Sequence, residues 1–165
     1  TGLIASLKNL GLVYRELSNF DKALSQLNLA LKLSDEIKNS VETSEVLNLL
    51  GSLHFRFNRY NEAILYYKQS LDIKKRNGFA ISTANTLENL ARVYSQKSMF
   101  YEASESLDEA LKIRERFLDQ RSIASTLNEA KKICDTVKKH RIICGVNFTR
   151  RWQQSFHILR RIPNI

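Results

Sequence analysis

The sequence predicts an all-α solenoid of stacked antiparallel helical hairpins, and three observations predict it. The chain repeats itself every 40 residues without a gap. Each repeat carries two stripes of apolar residues at helical spacing. Its 165 residues include only five Gly and one Pro, too few for a turn-rich all-β chain. Hydrophobic residues make up 43% of the chain and charged residues 26%, enough apolar material for a core and unlike a collagen or a disordered chain.

Written in rows of 40, Leu7, Leu47, Leu87 and Leu127 share a column, and Leu10, Leu50 and Leu90 share the next. Small residues Gly11, Gly51 and Ala91 follow, then Tyr14, His54 and Tyr94. Phe20, Tyr60 and Phe100 align, as do Ala23, Ala63 and Ala103. The rows close with Leu27, Tyr67 and Leu107, and with Ala30, Ser70 and Ala110. Self-similarity at such a period is the mark of stacked hairpins, because one hairpin cannot bury both of its faces alone.

The elements follow in order. In row one, Leu7, Leu10, Val13, Tyr14 and Leu17 form one helical face, and Phe20, Ala23, Leu24, Leu27, Ala30, Leu31 and Leu33 form a second. Ser18-Asn19, Asn58-Arg59 and Ser98-Met99 separate the two stripes; Ser and Asn suit turns and N-caps. Asp21, Glu62 and Glu102 fall in the first turn of each second helix, where the helix dipole favours an acid. Lys38-Asn39-Ser40 and Arg76-Asn77-Gly78 read as C-termini, cationic and then turn-forming. Where the two helices cross, Gly or Ala on one is expected to face Ala on the other, with the large columns filling the space beside. Row four starts well, with Ile123, Ala124, Leu127, Ala130, Ile133 and Cys134 on one face, and departs after about His140. The expected organisation is an array over 1–138 (1–40, 41–80, 81–120 and a partial fourth, 121–138), followed by a degenerate basic segment, 139–165.

The spacing Leu-x2-Leu-Gly-x2-Tyr, then Ala, Leu or aromatic, and Ala, resembles the tetratricopeptide repeat. Leu7, Leu10, Gly11, Tyr14, Ala23, Leu27 and Ala30 carry it first. Leu47, Leu50, Gly51, His54, Ala63, Tyr67 and Ser70 carry it again, and Leu87, Leu90, Ala91, Tyr94, Ala103, Leu107 and Ala110 a third time. Most such repeats are about 34 residues long; here the period is 40, and longer helices account for the excess. The long variety is that of Pins-type adaptors, kinesin light chains, Rap-type regulators and the sensor arms of some signalling ATPases. The resemblance specifies the fold far more closely than the role.

It also implies a right-handed stack whose concave wall is lined by the outward positions of each first helix. Row one places Ala5, Lys8, Asn9, Leu12, Arg15 and Glu16 there. Row two gives Glu45, Asn48, Leu49, Ser52, Phe55 and Arg56; row three gives Asn85, Glu88, Asn89, Arg92, Ser95 and Gln96. The start of row four adds Ser125, Asn128, Glu129, Lys132 and Asp135. A carboxamide offers a donor and an acceptor together, so Asn9, Asn48, Asn85, Asn89 and Asn128 suit pairing with the main chain of an extended peptide. Long repeats of this kind carry an asparagine ladder; Asn9 and Asn89 stand in its column, and Asn48 is one residue off. Lys8 fits the first position of the two-carboxylate clamp of chaperone-tail repeats, but Leu12, Leu49 and Asn89 do not fit the rest, so that clamp is rejected. Lys8, Arg15, Arg56 and Arg92 are expected to select the partner's charge, and Phe55 offers either an apolar pocket or a contact to the next helix.

The charge is uneven. Residues 1–130 hold 17 Lys and Arg against 16 Asp and Glu, whereas residues 131–165 hold nine against one. Eight of the nine net positive charges therefore belong to the tail. There Phe148, Trp152, Phe156 and Leu159 recur at helical spacing amid Arg150, Arg151, His157, Arg160 and Arg161. The segment reads as a cap on the open end of the array, as a helix for an anionic membrane surface or a partner, or as an artefact of gene modelling. Arg with aromatics can also hold nucleic acid, though no nucleic-acid motif supports it.

Cys134, His140, Cys144 and His157 have none of the common zinc spacings, so no metal is expected. His54, in the Tyr column, is expected to pack rather than to ligate or catalyse. No phosphate loop or dinucleotide fingerprint occurs; no cofactor is implied and nothing requires an enzyme. Two cysteines and no visible leader suggest a reducing, cytoplasmic setting, and Thr1 in place of Met suggests a fragment. The expected role is an adaptor holding a protein or peptide segment in the groove. The alternatives are a regulatory arm of a larger signalling protein and recruitment to an anionic surface through residues 148–162.

Overall fold

The computed structural model describes residues 2–116 and 120–139. Those residues form seven helices: α1 (Gly2–Glu16), α2 (Phe20–Glu36), α3 (Ser40–Arg56), α4 (Tyr60–Arg76), α5 (Ala80–Gln96), α6 (Phe100–Arg116) and α7 (Gln120–Lys139). There is no strand among them. α2 to α6 are each 17 residues long. Three residues separate one helix from the next up to α6, so helix and turn together make half of the long repeat.

The turns share one mechanism. Ser18, Lys38, Asn58, Gly78 and Ser98 all have positive φ, from 52° to 70°. Each ends its helix in a left-handed residue, so that two orphan carbonyls of the last turn find donors. Ser18 N–H donates to the Arg15 carbonyl at 3.0 Å and Asn19 N–H to that of Tyr14 at 2.9 Å. The same pair of bonds recurs at Lys38 and Asn39, Asn58 and Arg59, Gly78 and Phe79, and Ser98 and Met99. Asn19 and Asn39 then cap the next helix, accepting from Lys22 N–H and from the N–H groups of Val41 and Glu42. Only one of the five left-handed positions is glycine, so four turns hold a side chain in a conformation that costs about 1–2 kcal/mol.

The chain divides into two compact units, residues 1–89 and 90–165. In the first, Ile4 and Leu7 of α1, Ala23, Leu27 and Ala30 of α2, and Val46, Leu50 and Leu53 of α3 make one buried cluster. The small column acts differently from the expectation. A Cβ on Gly11 would lie 2.8 Å from Cγ and Cδ2 of Leu27, and one on Gly51 would lie 2.8 Å from the Tyr67 ring. The glycine therefore faces the large column of the other helix, not its alanine, and makes room for a buried Leu or Tyr. The alanine columns are still fully buried, and Ser70 in one of them donates to the Ser44 carbonyl at 2.7 Å, joining α4 to α3.

In the second unit, α6 packs on α7. Phe100, Ala103, Leu107, Ala110 and Leu111 are buried on α6, and Leu127, Ala130, Ile133 and Cys134 on α7. The side chains of Ile123 and Ala124, and all of residues 140–165 with the amphipathic tail, lie outside the described residues. One part of the expected core is not buried: Leu10, Val13 and Leu17 of the first stripe are exposed on α1.

Candidate functional site

Within the first unit, polar side chains link α1, α3 and the start of α5 across the repeats. Lys8 Nζ donates to Glu42 Oε2 at 2.7 Å and to Glu45 Oε2 at 2.6 Å, both on α3. Burial alone would lower the Lys8 pKa, but the hydrogen bonds and charges of the two carboxylates outweigh it and hold the pKa above its ordinary value. Arg15 Nη1 donates to Ser52 Oγ at 2.7 Å, and its Nη2 donates to Glu16 Oε1 at 2.8 Å. Arg56 Nη2 lies 3.5 Å from the other oxygen of Glu16. The Arg15 hydrogen bond, helped by the Arg56 charge, keeps the Glu16 carboxyl below its usual range.

These pairs change the expected role of the cations. Lys8, Arg15 and Arg56 meet Glu16, Glu42 and Glu45, so the charges where α1 meets α3 cancel locally. Between them, Asn9 is exposed and Leu12 and Leu49 are half-buried. Half-buried Phe55 lies 6.0 Å from the Tyr60 ring at the start of α4, a contact within its own hairpin.

A second group lies between α3, α4 and α5. Asn48 Oδ1 accepts from Thr86 Oγ1 at 3.1 Å and from Asn89 Nδ2 at 3.4 Å. The residue one place off the asparagine column is thus the partner of the one that is in it. Behind them stands Lys74 of α4, only 4% exposed, whose Nζ donates to Thr86 Oγ1 at 2.7 Å and to the Ser82 carbonyl at 3.4 Å. Neutral oxygens hold this ammonium, and burial lowers its pKa to about 8 despite the charge of Glu45. The sequence reading missed Lys74 and Thr86. The signal was a lysine on the buried stripe that continues Ala63, Tyr67, Ser70 and Leu71.

Asn85 is exposed on α5. In the second unit Arg92 Nε lies 3.7 Å from Glu129 Oε1, and Lys132 Nζ donates to Glu129 Oε2 at 3.2 Å. Gln96, Asn128 and Lys132 are exposed.

His54 is buried, its ring 5.3 Å from Phe20 and 5.1 Å from Tyr66, and neither nitrogen has a hydrogen-bond partner. Burial lowers its pKa, and the charge of Glu62 partly opposes this. Among the described residues no cluster of His, Cys, Asp and Glu is placed to hold a metal, and no helix is long and apolar enough to cross a membrane. His140, Cys144 and His157 lie outside those residues.

Comparison with known proteins extends this picture. The chain is 29% identical over 110 residues to the transcriptional activator NprA of Geobacillus stearothermophilus, a match covering 67% of this chain and 27% of that protein. The chain thus spans about a quarter of the length of this curated relative. BtubC from P. vanneervenii superposes with a TM-score of 0.77 at 23% identity, over 93% of this chain and 60% of BtubC. A Rap protein complexed with Competence and Sporulation Factor gives a TM-score of 0.65 at 16% identity, over 87% of this chain and 42% of the Rap protein. The tetratricopeptide repeat family matches residues 3–76 and again residues 83–122. Two family matches, the repeated hairpins and the shared column pattern agree, and the chain belongs to the tetratricopeptide repeat family.

Proposed function

We propose that this chain is a protein-interaction scaffold that holds an extended peptide segment of a partner against the first helices of its repeats. The Asn48–Asn89 pair carries the reading. Thr86 and Asn89 occupy Asn48 Oδ1, so Asn48 Nδ2 and Asn89 Oδ1 remain as a donor and an acceptor side by side. A peptide unit offers the complementary acceptor and donor whatever its side chains. Because the wall's cations are paired with its own carboxylates, the favoured segment is near neutral here, with apolar groups for Leu12, Leu49 and Phe55. Asn9, exposed on α1 of the same unit, offers a further carboxamide. A Rap protein that superposes on this chain forms a complex with Competence and Sporulation Factor, which supports a ligand-binding use of the fold.

Dodecapeptides selected from a random displayed library test it. Asn48→Ala with Asn89→Ala is expected to weaken the selected peptides roughly 5- to 50-fold, the worth of one or two hydrogen bonds, with the helical circular dichroism unchanged. Unchanged affinity would remove the carboxamide pair from the binding surface. A second reading, a regulatory arm within a larger signalling protein, is favoured by the likeness to a transcriptional activator of which this chain spans 27%. It uses the same wall.

A further inference from the structure

The forty-residue period allows each face of α1 to be compared with its equivalents, and one face differs. Leu10 is 45% exposed and Val13 is 53% exposed, whereas their equivalents Leu50 and Leu53 on α3 are both 0% exposed. The same positions on α5, Leu90 and Val93, and on α7, Ala130 and Ile133, are buried too. Leu3 and Leu17 extend the exposed row on α1 to both ends of the helix. On α3 the covering element is α2: Val46, Leu50 and Leu53 share a buried cluster with Leu27 and Ala30. The face of α1 thus has the composition of a covered face.

We propose that this face of α1 seats the second helix of a further hairpin of the same forty-residue kind, N-terminal to residue 1 in the same polypeptide. The occupant's pattern follows from α2: alanine, leucine and alanine at the places of Ala23, Leu27 and Ala30, with a small residue at that of Ser34. The face is ready to be covered. Its polar member, Ser6, already donates to the Gly2 carbonyl at 3.1 Å, so burial strands no hydroxyl. The charged residues Lys8 and Arg15 point to α3, where their partners lie, and stand apart from the row. The relatives reported above are all longer than this chain.

The test adds a copy of residues 1–40 ahead of Thr1, which keeps the period and the Asn39 cap. Native-state hydrogen exchange then follows the amides of the original α1. Their protection is expected to rise at least tenfold. Leu10→Glu with Val13→Glu in the original α1 is expected to erase that rise, yet to leave protection in the chain without the copy within about twofold, because the face is open there. No rise, or a rise that survives the two glutamates, overturns the proposal. So does sedimentation of the unextended chain as a dimer that the glutamates split, which would make a second copy the occupant.

Discussion

The junction between repeats one and two and the junction between repeats two and three are built on the same backbone and held by opposite chemistry. At the first, α1 and α3 exchange ion pairs: half-buried Lys8 with Glu42 and Glu45, and exposed Glu16 with Arg56. Beneath them His54 sits unpaired among Phe20, Tyr66 and the apolar cluster. At the second, the link is a chain of neutral groups that runs from half-buried Asn89 and Asn48 to buried Thr86 and ends in one buried cation, Lys74. The repeat specifies where a junction lies, and the side chains decide what disturbs it. The first is open to salt and acid. The second is buried at its inner end, where the Thr86 hydroxyl is the nearer of two acceptors for Lys74.

The largest expected effect is at that hydroxyl. Thr86→Val removes the 2.7 Å acceptor of Lys74 and a donor to Asn48. Leaving a buried ammonium short of a partner is expected to cost about 2–3 kcal/mol at pH 7. Lys74→Met, which removes the charge altogether, is expected to be neutral or stabilising by about 1 kcal/mol, and to restore the Thr86→Val variant. Urea denaturation of the two single variants and the double variant checks this. If Lys74→Met proves the most harmful of the three, the buried cation stabilises the junction and the contrast fails.

Next come two pH effects of opposite placement. Burial lowers the Lys74 pKa from 10.5 in the unfolded chain to about 8 in the folded one. Between those values the unfolded chain binds the extra proton, so stability is expected to rise with pH from about 8 to about 10.5. Lys74→Met is expected to flatten that rise. His54 has a folded pKa below its ordinary 6.5. Its contribution is full above 6.5 and is lost as pH falls through the folded value. His54→Tyr, which installs the residue found at Tyr14 and Tyr94, is expected to remove this acid loss. Thermal denaturation between pH 5 and pH 10 reads both.

Salt separates the junctions more gently. Raising NaCl from about 0.05 M to about 0.5 M is expected to weaken the pairs between α1 and α3, the exposed Glu16–Arg56 pair most, by at most about 1 kcal/mol. Hydrogen exchange should show the loss in α1 and α2 and leave the Lys74 junction unmoved. The smallest effect lies in the connecting turns. Lys38→Gly relieves a left-handed side chain between α2 and α3, and a gain of about 0.5 kcal/mol is expected after the entropy of glycine is set against it. Gly78→Ala, between α4 and α5, is expected to cost a similar amount.

The repeat, the hairpins and their turns were legible in the sequence because they rest on periodicity and turn chemistry, which are local. Ser18-Asn19 and Asn58-Arg59 could be placed as turns without any coordinate. What Gly11 and Gly51 face could not, because it depends on which side chain of the partner helix rises at the crossing. The columns put Lys8, Arg15 and Arg56 on the first helices of their repeats, but what those cations pair with could not be read from the columns. Each is satisfied by a residue of its own or the neighbouring first helix, and column logic treats rows separately. Lys74 escaped for a related reason: Thr86, its acceptor, is twelve residues away on another helix.

The left-handed residue that closes a helix every twenty positions has a consequence for how such a chain can be rearranged. Uniform turns make the hairpins interchangeable as shapes: a forty-residue cut at any of these points leaves a geometrically sound joint. The residues that meet across each joint are not interchangeable. Moved ahead of a second copy of itself, the Lys74 hairpin would present its ammonium to Val46, the equivalent of Thr86, and find no oxygen from that side chain. The order of the hairpins is therefore written in their edge residues, as an address that the backbone alone does not carry.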